Sequence, residues 1–471
     1  MTVLFASDYW TGLQQLRAGH PHDACLTLRR VLNDDPTHDG ARRNLIRAGV
    51  ALRDWVLVIG ECGVALGQTP DSAELHYHHG TALSARGCGD EAMGALRRAI
   101  GCDPSHAAAH LNLGNLFMDR DDAAAAEMWC REALRLDPSL IEARISLGFI
   151  LTFAGRLTEA IDVLRDAVER APDHVQAHWN LAAAALVAGD LETGFREYEW
   201  RKRHDRFRRD FINPPGPIWD GGDISGKTIL VHAEQGLGDT IQFARYLPLI
   251  GQRGGVPILA CDDALVPLLR SMPNARIVSK ADPLPAYDAW IDQMSLPRVF
   301  ATTLDTIPFA GGYLPMVERL GCSDIGLAWR GNPLHENDRR RTPPPEAFAP
   351  LVDHIGAGCV SLVPEEALAG TRLPERTLVD YAATAAVIAD LELVIAVDTS
   401  VAHLAGAMGR EVWILLPFAA DWRWLTRRSD SPWYRSARLF RQTAPGDWCG
   451  VMADVMEALD QRAKERGGIS V

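Results

Sequence analysis

Three short segments in the second half of the chain carry side chains suited to binding a charged group. In the first, EQGLGDT (234–240), Gln235, Gly236 and Gly238 form a turn that lets backbone approach a ligand closely. Asp239 follows at the start of a predicted helix. One interpretation is a helix N-cap, which stabilises a helix by about 1 kcal/mol. The other is a carboxylate that takes part in chemistry beside the turn.

The second segment is VDTSVAHLAG (397–406), where an apolar strand ends and a helix begins. A helix N-terminus offers free N–H groups and a positive dipole, which suit a diphosphate. The hydroxyls of Thr399 and Ser400 can donate further hydrogen bonds. His403 lies three residues after Ser400, on the same side of the helix. Ordinary capping of a packed helix is the alternative.

The third segment, WRGNPLHENDRRR (329–341), holds the densest positive charge of this region. Arg330 follows a predicted strand, and Arg339, Arg340 and Arg341 end the segment. Arginine neutralises phosphate well through bidentate contacts. Only four of the 48 basic residues are lysine, so any phosphate site here must depend on arginine. A solvated loop is the alternative.

These segments lie in a region where short apolar strands alternate with helices, a pattern typical of parallel sheets with crossover helices. We predict two small Rossmann-like halves, residues 227–315 on the acceptor side and 316–471 on the donor side. A basic and then Pro/Gly-rich linker, 206–226, precedes them. Two such halves indicate a GT-B-like α/β architecture with a cleft between them.

The first part of the chain is an internal repeat. Its clearest marker is a proline every 34 residues, at Pro36, Pro70, Pro104, Pro138 and Pro172. Glycines and alanines keep the same register. The copy at 107–138 resembles the tetratricopeptide (TPR) unit, so residues 1–205 are predicted to form an α-superhelix of about six repeats. The units begin near 5, 39, 73, 107, 141 and 175. Such arrays bind peptides or proteins in a groove.

Several histidines of the repeats stand four residues apart, as metal ligands on a helix can. They also recur at fixed repeat positions, which favours a place in the partner groove over a metal site. We predict no metal. The predicted groove residues are His76, His110, His178, Asn112 and Asn180.

Five segments together resemble a bacterial family that fuses TPR repeats to a domain similar to the ADP-heptose:lipopolysaccharide heptosyltransferases. They are HAEQGLGDTIQFARYLPLI, GLAWRGNPLHENDRR, IAVDTSVAHLAGAMGREVWILLP, DWRWL and SPWYRSARLFRQ. The architecture also resembles that of protein O-GlcNAc transferases and flagellin glycosyltransferases. The resemblance implies a general base at Asp239, which would take the proton of the acceptor hydroxyl. It also implies a donor diphosphate site at Asp398, Thr399, Ser400 and His403.

The chain departs from that family at several positions. Relatives are expected to have a basic residue near Glu336 and Ser-Ile after the arginines, whereas here Thr342 precedes three prolines. Val363 and Pro364 stand where glutamine is usual. The aromatic residues of the last two segments could stack on a base or sugar, or seal the repeats against the α/β domain.

Composition restricts the partners and the compartment. With 48 basic and 61 acidic residues the net charge is −13, which argues against general nucleic-acid binding. The nine scattered cysteines fit a reducing compartment. No signal peptide or membrane span is expected, so we predict a cytoplasmic protein. Residues 1–195 are acidic, and the exit at 196–210 is basic, for which a solvated surface is the simplest interpretation.

The function predicted from these observations is a metal-independent glycosyltransferase. It would use a nucleotide-sugar as co-substrate, with no cofactor, and modify a protein hydroxyl held by the TPR groove, with a flagellin-like acceptor by analogy. The short halves and the departures favour an alternative, a TPR scaffold whose transferase domain has lost catalysis. A lipid or saccharide acceptor is a third interpretation, which leaves the repeats without a role.

Overall fold

The computed structural model of the protein describes residues 2–207, 211, 213–314, 324–334 and 337–467. The chain divides into two compact units, residues 1–172 and 173–471, and each is described by itself.

The first unit consists of helices that follow one another as antiparallel pairs. They are α1 (Thr2–Arg17), α2 (Pro21–Asp34), α3 (Asp39–Leu52), α4 (Trp55–Gln68), α5 (Ala73–Ala85), α6 (Gly89–Cys102), α7 (Ala107–Met118), α8 (Ala123–Leu136), α9 (Ile141–Phe153) and α10 (Leu157–Arg170). From α3 onward, the first helix of each pair begins at the residue that the 34-residue period predicts.

Small residues let the two helices of a pair pack closely, as predicted. A Cβ atom on Gly80 would lie 2.8 Å from Cγ of Leu96 in the next helix. At Gly148 the corresponding distance, to Cγ of Leu164, would be 2.4 Å. These glycines therefore allow a contact that any side chain would block.

The sixth helix pair, α11 (Val175–Ala188) and α12 (Leu191–Glu197), belongs to the second unit. Its side chains Leu186 and Phe195 share one hydrophobic core with residues of the α/β part. A 3-10 turn over Tyr198–Arg203 continues the chain. The division between compact units thus falls before the sixth repeat, whereas we predicted a domain boundary at 205.

The first sheet of the second unit has four parallel strands in the order β3-β2-β1-β4. Its elements are β1 (Thr228–His232), α13 (Leu237–Phe243), α14 (Leu247–Gln252), β2 (Val256–Cys261), α15 (Val266–Leu269), β3 (Arg276–Ser279), β4 (Ala289–Asp292) and α16 (Leu296–Val299). After the glycine-rich turn, a 3-10 turn at Ala244–Tyr246 divides the helical segment into α13 and α14. Pro248 has no N–H to bond to the Ala244 carbonyl, so the helix breaks there.

The second sheet has five parallel strands in the order β6-β5-β7-β8-β9. Its elements are β5 (Ile325–Ala328), α17 (Asp338–Arg341), α18 (Ala349–Ile355), β6 (Cys359–Ser361), α19 (Tyr381–Asp390), β7 (Leu393–Val397), α20 (Ser400–Ala407), β8 (Val412–Leu416), β9 (Ala437–Arg441) and α21 (Trp448–Gly467). Strand β9 was not predicted.

Strand order locates the point in each sheet where consecutive connections leave in opposite directions. In the first sheet this switch point lies between β1 and β4, and in the second between β5 and β7. Open parallel sheets bind ligands at the carboxyl ends of the strands beside such a point. The glycine-rich turn follows β1, and Asp398 follows β7.

Candidate functional site

The glycine-rich turn after β1 is a tight connection that starts α13. Gln235 adopts a positive φ of 61°, and Gly236 is the N-cap of the helix. The Oδ2 atom of Asp239 accepts a hydrogen bond of 2.8 Å from the Gly236 N–H. Asp239 therefore does stabilise the helix start, although by bonding back to the cap residue from the third helical position.

The other oxygen of Asp239 forms an ion pair with Arg423. Nη2 of Arg423 donates to Oδ1 of Asp239, and Nη1 donates to Oδ1 of Asp421 over 2.7 Å. Its Nε donates to Oε1 of Gln242 over 2.5 Å. Burial alone would lower the pKa of Arg423, but Asp421 and Asp239 outweigh it and raise that pKa. The Asp239 side chain keeps 20% of its surface exposed.

Arg423 was not among the predicted site residues. In the segment DWRWL, the prediction gave a role only to the aromatic residues and none to the arginine between them. Its only sequence signal is a charged residue inside an otherwise apolar segment.

The two motifs that the sequence singled out separately lie in contact. Helix α13 packs on α20 at Gly238, where a Cβ atom would be 2.8 Å from Cδ2 of His403 and 3.4 Å from Cα of Ser400. The two helices are therefore in direct contact at Gly238, a position that no residue with a side chain could occupy without a shift.

The start of α20 leaves backbone N–H groups without acceptors. Thr399 is the N-cap and its side chain makes no capping bond. Among the described residues, no acceptor bonds the backbone N–H groups of Ser400 and Val401. The Ser400 hydroxyl is hydrogen-bonded to the Tyr381 hydroxyl, so the predicted donor Ser400 already has one partner.

Asp398 lies half-buried between β7 and α20. Burial and the neighbouring carboxylate of Asp421 raise its pKa to about 6, against the opposing charges of Arg423 and Arg341. This group therefore loses its proton at a higher pH than an ordinary aspartate does.

The predicted donor arginines lie at different places. Nη1 of Arg341 donates to the Asp398 carbonyl over 3.1 Å, beside Gly331, where a Cβ atom would be 2.7 Å from Arg341 Nη2 and 3.5 Å from the Thr399 hydroxyl. Arg330 pairs with Glu366 instead, and Arg339 is exposed. Arg341 is thus a predicted arginine whose guanidinium lies at the start of α20. The departure noted at Glu336 lies outside the described residues.

His403 is buried between aromatic rings. Its Nδ1 lies 2.9 Å from the Tyr434 hydroxyl, and its ring stacks on Trp424 with centroids 5.4 Å apart. Burial, together with the charges of Arg423 and Arg245, holds the pKa of His403 well below its usual value. The imidazole is therefore neutral and can donate one hydrogen bond but not carry charge.

The aromatic residues near the site lie in the interior. Trp424, Trp433 and Tyr434 are fully buried, and Trp422 contacts Phe195 of α12 edge-on with centroids 5.6 Å apart. Of the two alternatives, these contacts match the seal between the repeat helices and the α/β part.

The basic exit after the repeats is not a solvated surface throughout. Arg201 is fully buried and forms a bidentate pair with Glu234, with Nε–Oε2 2.9 Å and Nη2–Oε1 2.6 Å. Beside it, Lys202 lies 3.1 Å from Asp292, the last residue of β4. The exit therefore fills the switch point of the first sheet, directly before the glycine-rich turn.

The histidines predicted to line a partner groove have internal partners instead. Nε2 of His76 bonds to the Pro70 carbonyl over 2.7 Å, and Nε2 of His110 bonds to the Pro104 carbonyl over 3.0 Å. These bonds tie each helix pair to the proline-containing turn before it, which explains why both residues recur with the repeat. Their Nε2 atoms are thus engaged within the repeats, and their place in a partner groove stays a prediction.

The remaining predicted groove residues belong to similar contacts. His178 bonds to Glu197 over 2.6 Å and stacks on Trp200. Asn180 is buried and accepts from Gln176, whereas Asn112 is half-buried and donates to Thr81 over 3.0 Å. Asn112 remains the predicted groove residue with the most accessible side chain. Within the described part of the chain, no group of three or more His, Cys, Asp or Glu residues could hold a metal.

Comparison with known proteins identifies the repeats. A tetratricopeptide repeat family profile matches residues 77–141 and 152–199. Protein FlbA of Caulobacter vibrioides is 27% identical over 324 residues, which are 59% of this chain and 54% of FlbA. The chain thus spans about half the length of the curated relative it matches.

Three solved TPR-containing or related structures illustrate the likeness. A thermophilic TPR protein of Thermus thermophilus, TTC0263, is 23% identical with a TM-score of 0.34, covering 39% of this chain and 99% of its own. Pseudomonas aeruginosa PilF is 20% identical with a TM-score of 0.37, and the match covers 42% of this chain and 90% of PilF. MamA of Desulfovibrio magneticus RS-1 is 19% identical with a TM-score of 0.33, and the match covers 36% of this chain and 97% of that MamA chain. No helix within the described residues is long and apolar enough to cross a membrane.

Proposed function

We propose that the second unit is a GT-B-like glycosyltransferase that moves a sugar from a nucleotide-diphosphate sugar to an acceptor hydroxyl. The observation that carries the proposal is the contact between α13 and α20. In the first half, Asp239 lies beside this contact and is paired with Arg423 of the second half. In the second half, the start of α20 lies there, with Arg341 bonded to the Asp398 carbonyl.

The donor diphosphate would bind at the switch point between β5 and β7. There the free N–H groups of α20, the Thr399 hydroxyl and the Arg341 guanidinium converge. These groups would stabilise the charge that develops on the leaving phosphate. Neutral His403 would add a hydrogen-bond donor without adding charge.

Asp239 would serve as the general base. In the transfer, the acceptor oxygen bonds to the anomeric carbon as the bond from that carbon to the β-phosphate oxygen breaks. The hydroxyl proton passes to Asp239, and the nucleoside diphosphate leaves. Arg423 and the Gly236 N–H hold the carboxylate in one orientation, which supports this role because general bases must be positioned.

The acceptor would be a protein. The chain contains TPR repeats, which confer a protein-interaction role. The sixth helix pair shares a core with the α/β part, so a segment held by that pair would lie on the same compact unit as the candidate site.

Calorimetry with a panel of nucleoside diphosphates and nucleotide-sugars tests the donor site. The matched variants are Arg341→Met and Arg339→Met, two positions of one arginine run that differ in burial. We expect Arg341→Met to weaken binding at least about tenfold, and Arg339→Met to weaken it by much less. Binding of no nucleotide by the wild type, or equal effects of the two variants, would contradict the proposed site.

The second candidate function is a non-catalytic TPR scaffold. It is favoured by the engagement of both Asp239 oxygens, with Arg423 and with the Gly236 N–H, because a general base needs an oxygen that can take up the proton. A chain that binds none of the panel but binds a protein partner tightly would support the scaffold.

A further inference from the structure

The edge strand β3 differs from the other three sheet edges of the second unit. The edge of β4 is covered by residues 217–219, since Trp219 N–H donates to the Trp290 carbonyl over 2.8 Å. Arg372 covers β6, and Ser429 and Asp430 cover β9. In the described part of the chain, no strand or bridge pairs with the outer side of β3, where the chain's own contact is a 3.4 Å hydrogen bond from the Asp282 N–H to the Ser279 carbonyl.

The free edge presents backbone groups of known direction. Lys280 N–H donates to the Cys261 carbonyl of β2, so the alternate residues Ile277 and Ser279 point their N–H groups outward. Neither N–H bonds to an acceptor among the described residues. Unpaired donors of this kind are a template for an added strand.

A groove of about 540 Å³ runs beside this edge. Val266 and Pro267 of α15 form part of one wall, and Pro283 and Pro285 line it from the loop after β3. Such walls can take the side chains that alternate along an extended segment.

Charges divide the groove into two ends. Arg270 and Arg276 lie toward the amino end of β3, and neither forms an ion pair with a described residue. Asp263 and Asp282 follow the carboxyl ends of β2 and β3 and line the opposite end. A segment with an acidic residue at one end and a basic residue at the other would complement both.

We propose that β3 binds an extended segment of a partner polypeptide as an additional strand. The occupant is a segment rather than a second copy of this chain because the edge is four residues long, about 13 Å. An edge of that length buries far less than the roughly 800 Å² per partner of a stable interface. The proposal is independent of the transferase function.

The test uses the full chain and a capped hexapeptide, Glu-Thr-Val-Thr-Val-Arg, with its fully N-methylated form as the probe control. Ser279→Pro removes an outward N–H at the end of an edge strand, where proline is tolerated. Ser279→Ala loses the same side-chain bond to the Ala281 N–H but keeps the backbone donor. We expect the peptide to bind the wild type and Ser279→Ala, and to bind Ser279→Pro at least about tenfold more weakly.

Hydrogen–deuterium exchange of the wild type provides a measurement that does not depend on a variant. The peptide should slow exchange in 276–279, and the N-methylated peptide should not. Absence of binding, equal affinity for both variants, or unchanged exchange would overturn the proposal. So would a dimer that Ser279→Pro dissociates, since the occupant would then be a second copy.

Discussion

Arg423 forms an ion pair with Asp239, although 184 residues separate them in the sequence. The arginine comes from the segment after β8 and the aspartate from the first turn of α13, so this pair joins the two halves of the α/β part at the candidate site. Its second carboxylate partner, Asp421, provides a matched comparison.

Asp239→Asn should distinguish the role of Asp239 as a general base from its role in stabilising the fold. The asparagine keeps an oxygen for the Gly236 N–H but removes a charge facing buried Arg423, so we expect a loss of about 1–3 kcal/mol in the free energy of unfolding. We also expect at least about a hundredfold loss of transfer. Urea unfolding measures the first effect, and intact-protein mass spectrometry of acceptor proteins measures the second.

Asp421→Asn is the control for that substitution. It removes a charge that faces the same arginine and should destabilise the chain to a similar degree, yet retain transfer. If both variants transfer sugar as the wild type does, Asp239 is not the base.

Gly238→Ala should loosen the contact between α13 and α20. The added Cβ would lie 2.8 Å from His403 Cδ2, so one helix must move, at a cost of about 1–3 kcal/mol. Gly251→Ala, in α14, meets nothing within 4 Å and should be neutral or stabilising by up to about 1 kcal/mol. Equal thermal midpoints for the wild type and Gly238→Ala would show that the contact is not tight.

Arg201→Met should be among the most damaging single substitutions in the exit segment. It leaves the buried Glu234 carboxylate without its bidentate partner, a loss of about 3–5 kcal/mol. Arg203→Met removes an exposed pair with Asp173 and should cost less than about 1 kcal/mol. The free energies of unfolding of Arg201→Met and Arg203→Met are compared by urea denaturation. Similar values for the two variants would contradict a stabilising role for the buried Arg201–Glu234 pair.

Asp398 should make stability fall as pH rises through the range from about 4 to about 6. Its folded pKa, about 6, lies above the unfolded value of 3.8, so the folded state holds the proton more tightly. The contribution is present below pH 4 and is lost as Asp398 ionises, with a size of the order of 1–3 kcal/mol. Asp398→Asn removes this dependence.

The measurement is the difference in unfolding free energy between wild type and Asp398→Asn at several pH values. We expect the wild type to lose stability relative to the variant between pH 4 and 6.5. A difference that does not change with pH would mean that Asp398 has an ordinary pKa in the folded chain.

Sequence periodicity predicted the regular parts of this fold because their causes are local. Proline, glycine and alanine recur every 34 residues, and each fixes a turn or a close helix contact. Parallel sheets with crossover helices were predicted because short apolar stretches alternate with helices along the second half of the chain. Strand β9 was missed because its segment was interpreted only as an aromatic motif.

The contacts of the candidate site were harder to predict because their partners are distant in sequence. Nothing near Arg423 indicates Asp239, and nothing near Arg201 indicates Glu234. The repeated histidines illustrate a different limit of the sequence. A repeated position can face the neighbouring turn as well as a groove, and period alone does not distinguish the two directions.

The buried pair of Arg201 with Glu234 has a consequence for how the chain can be divided or recombined. A fragment that starts at the linker would leave Glu234 in the interior with no cation, and would expose the face that the sixth helix pair covers. The helix pair after residue 173 is therefore inherited together with the two sheets.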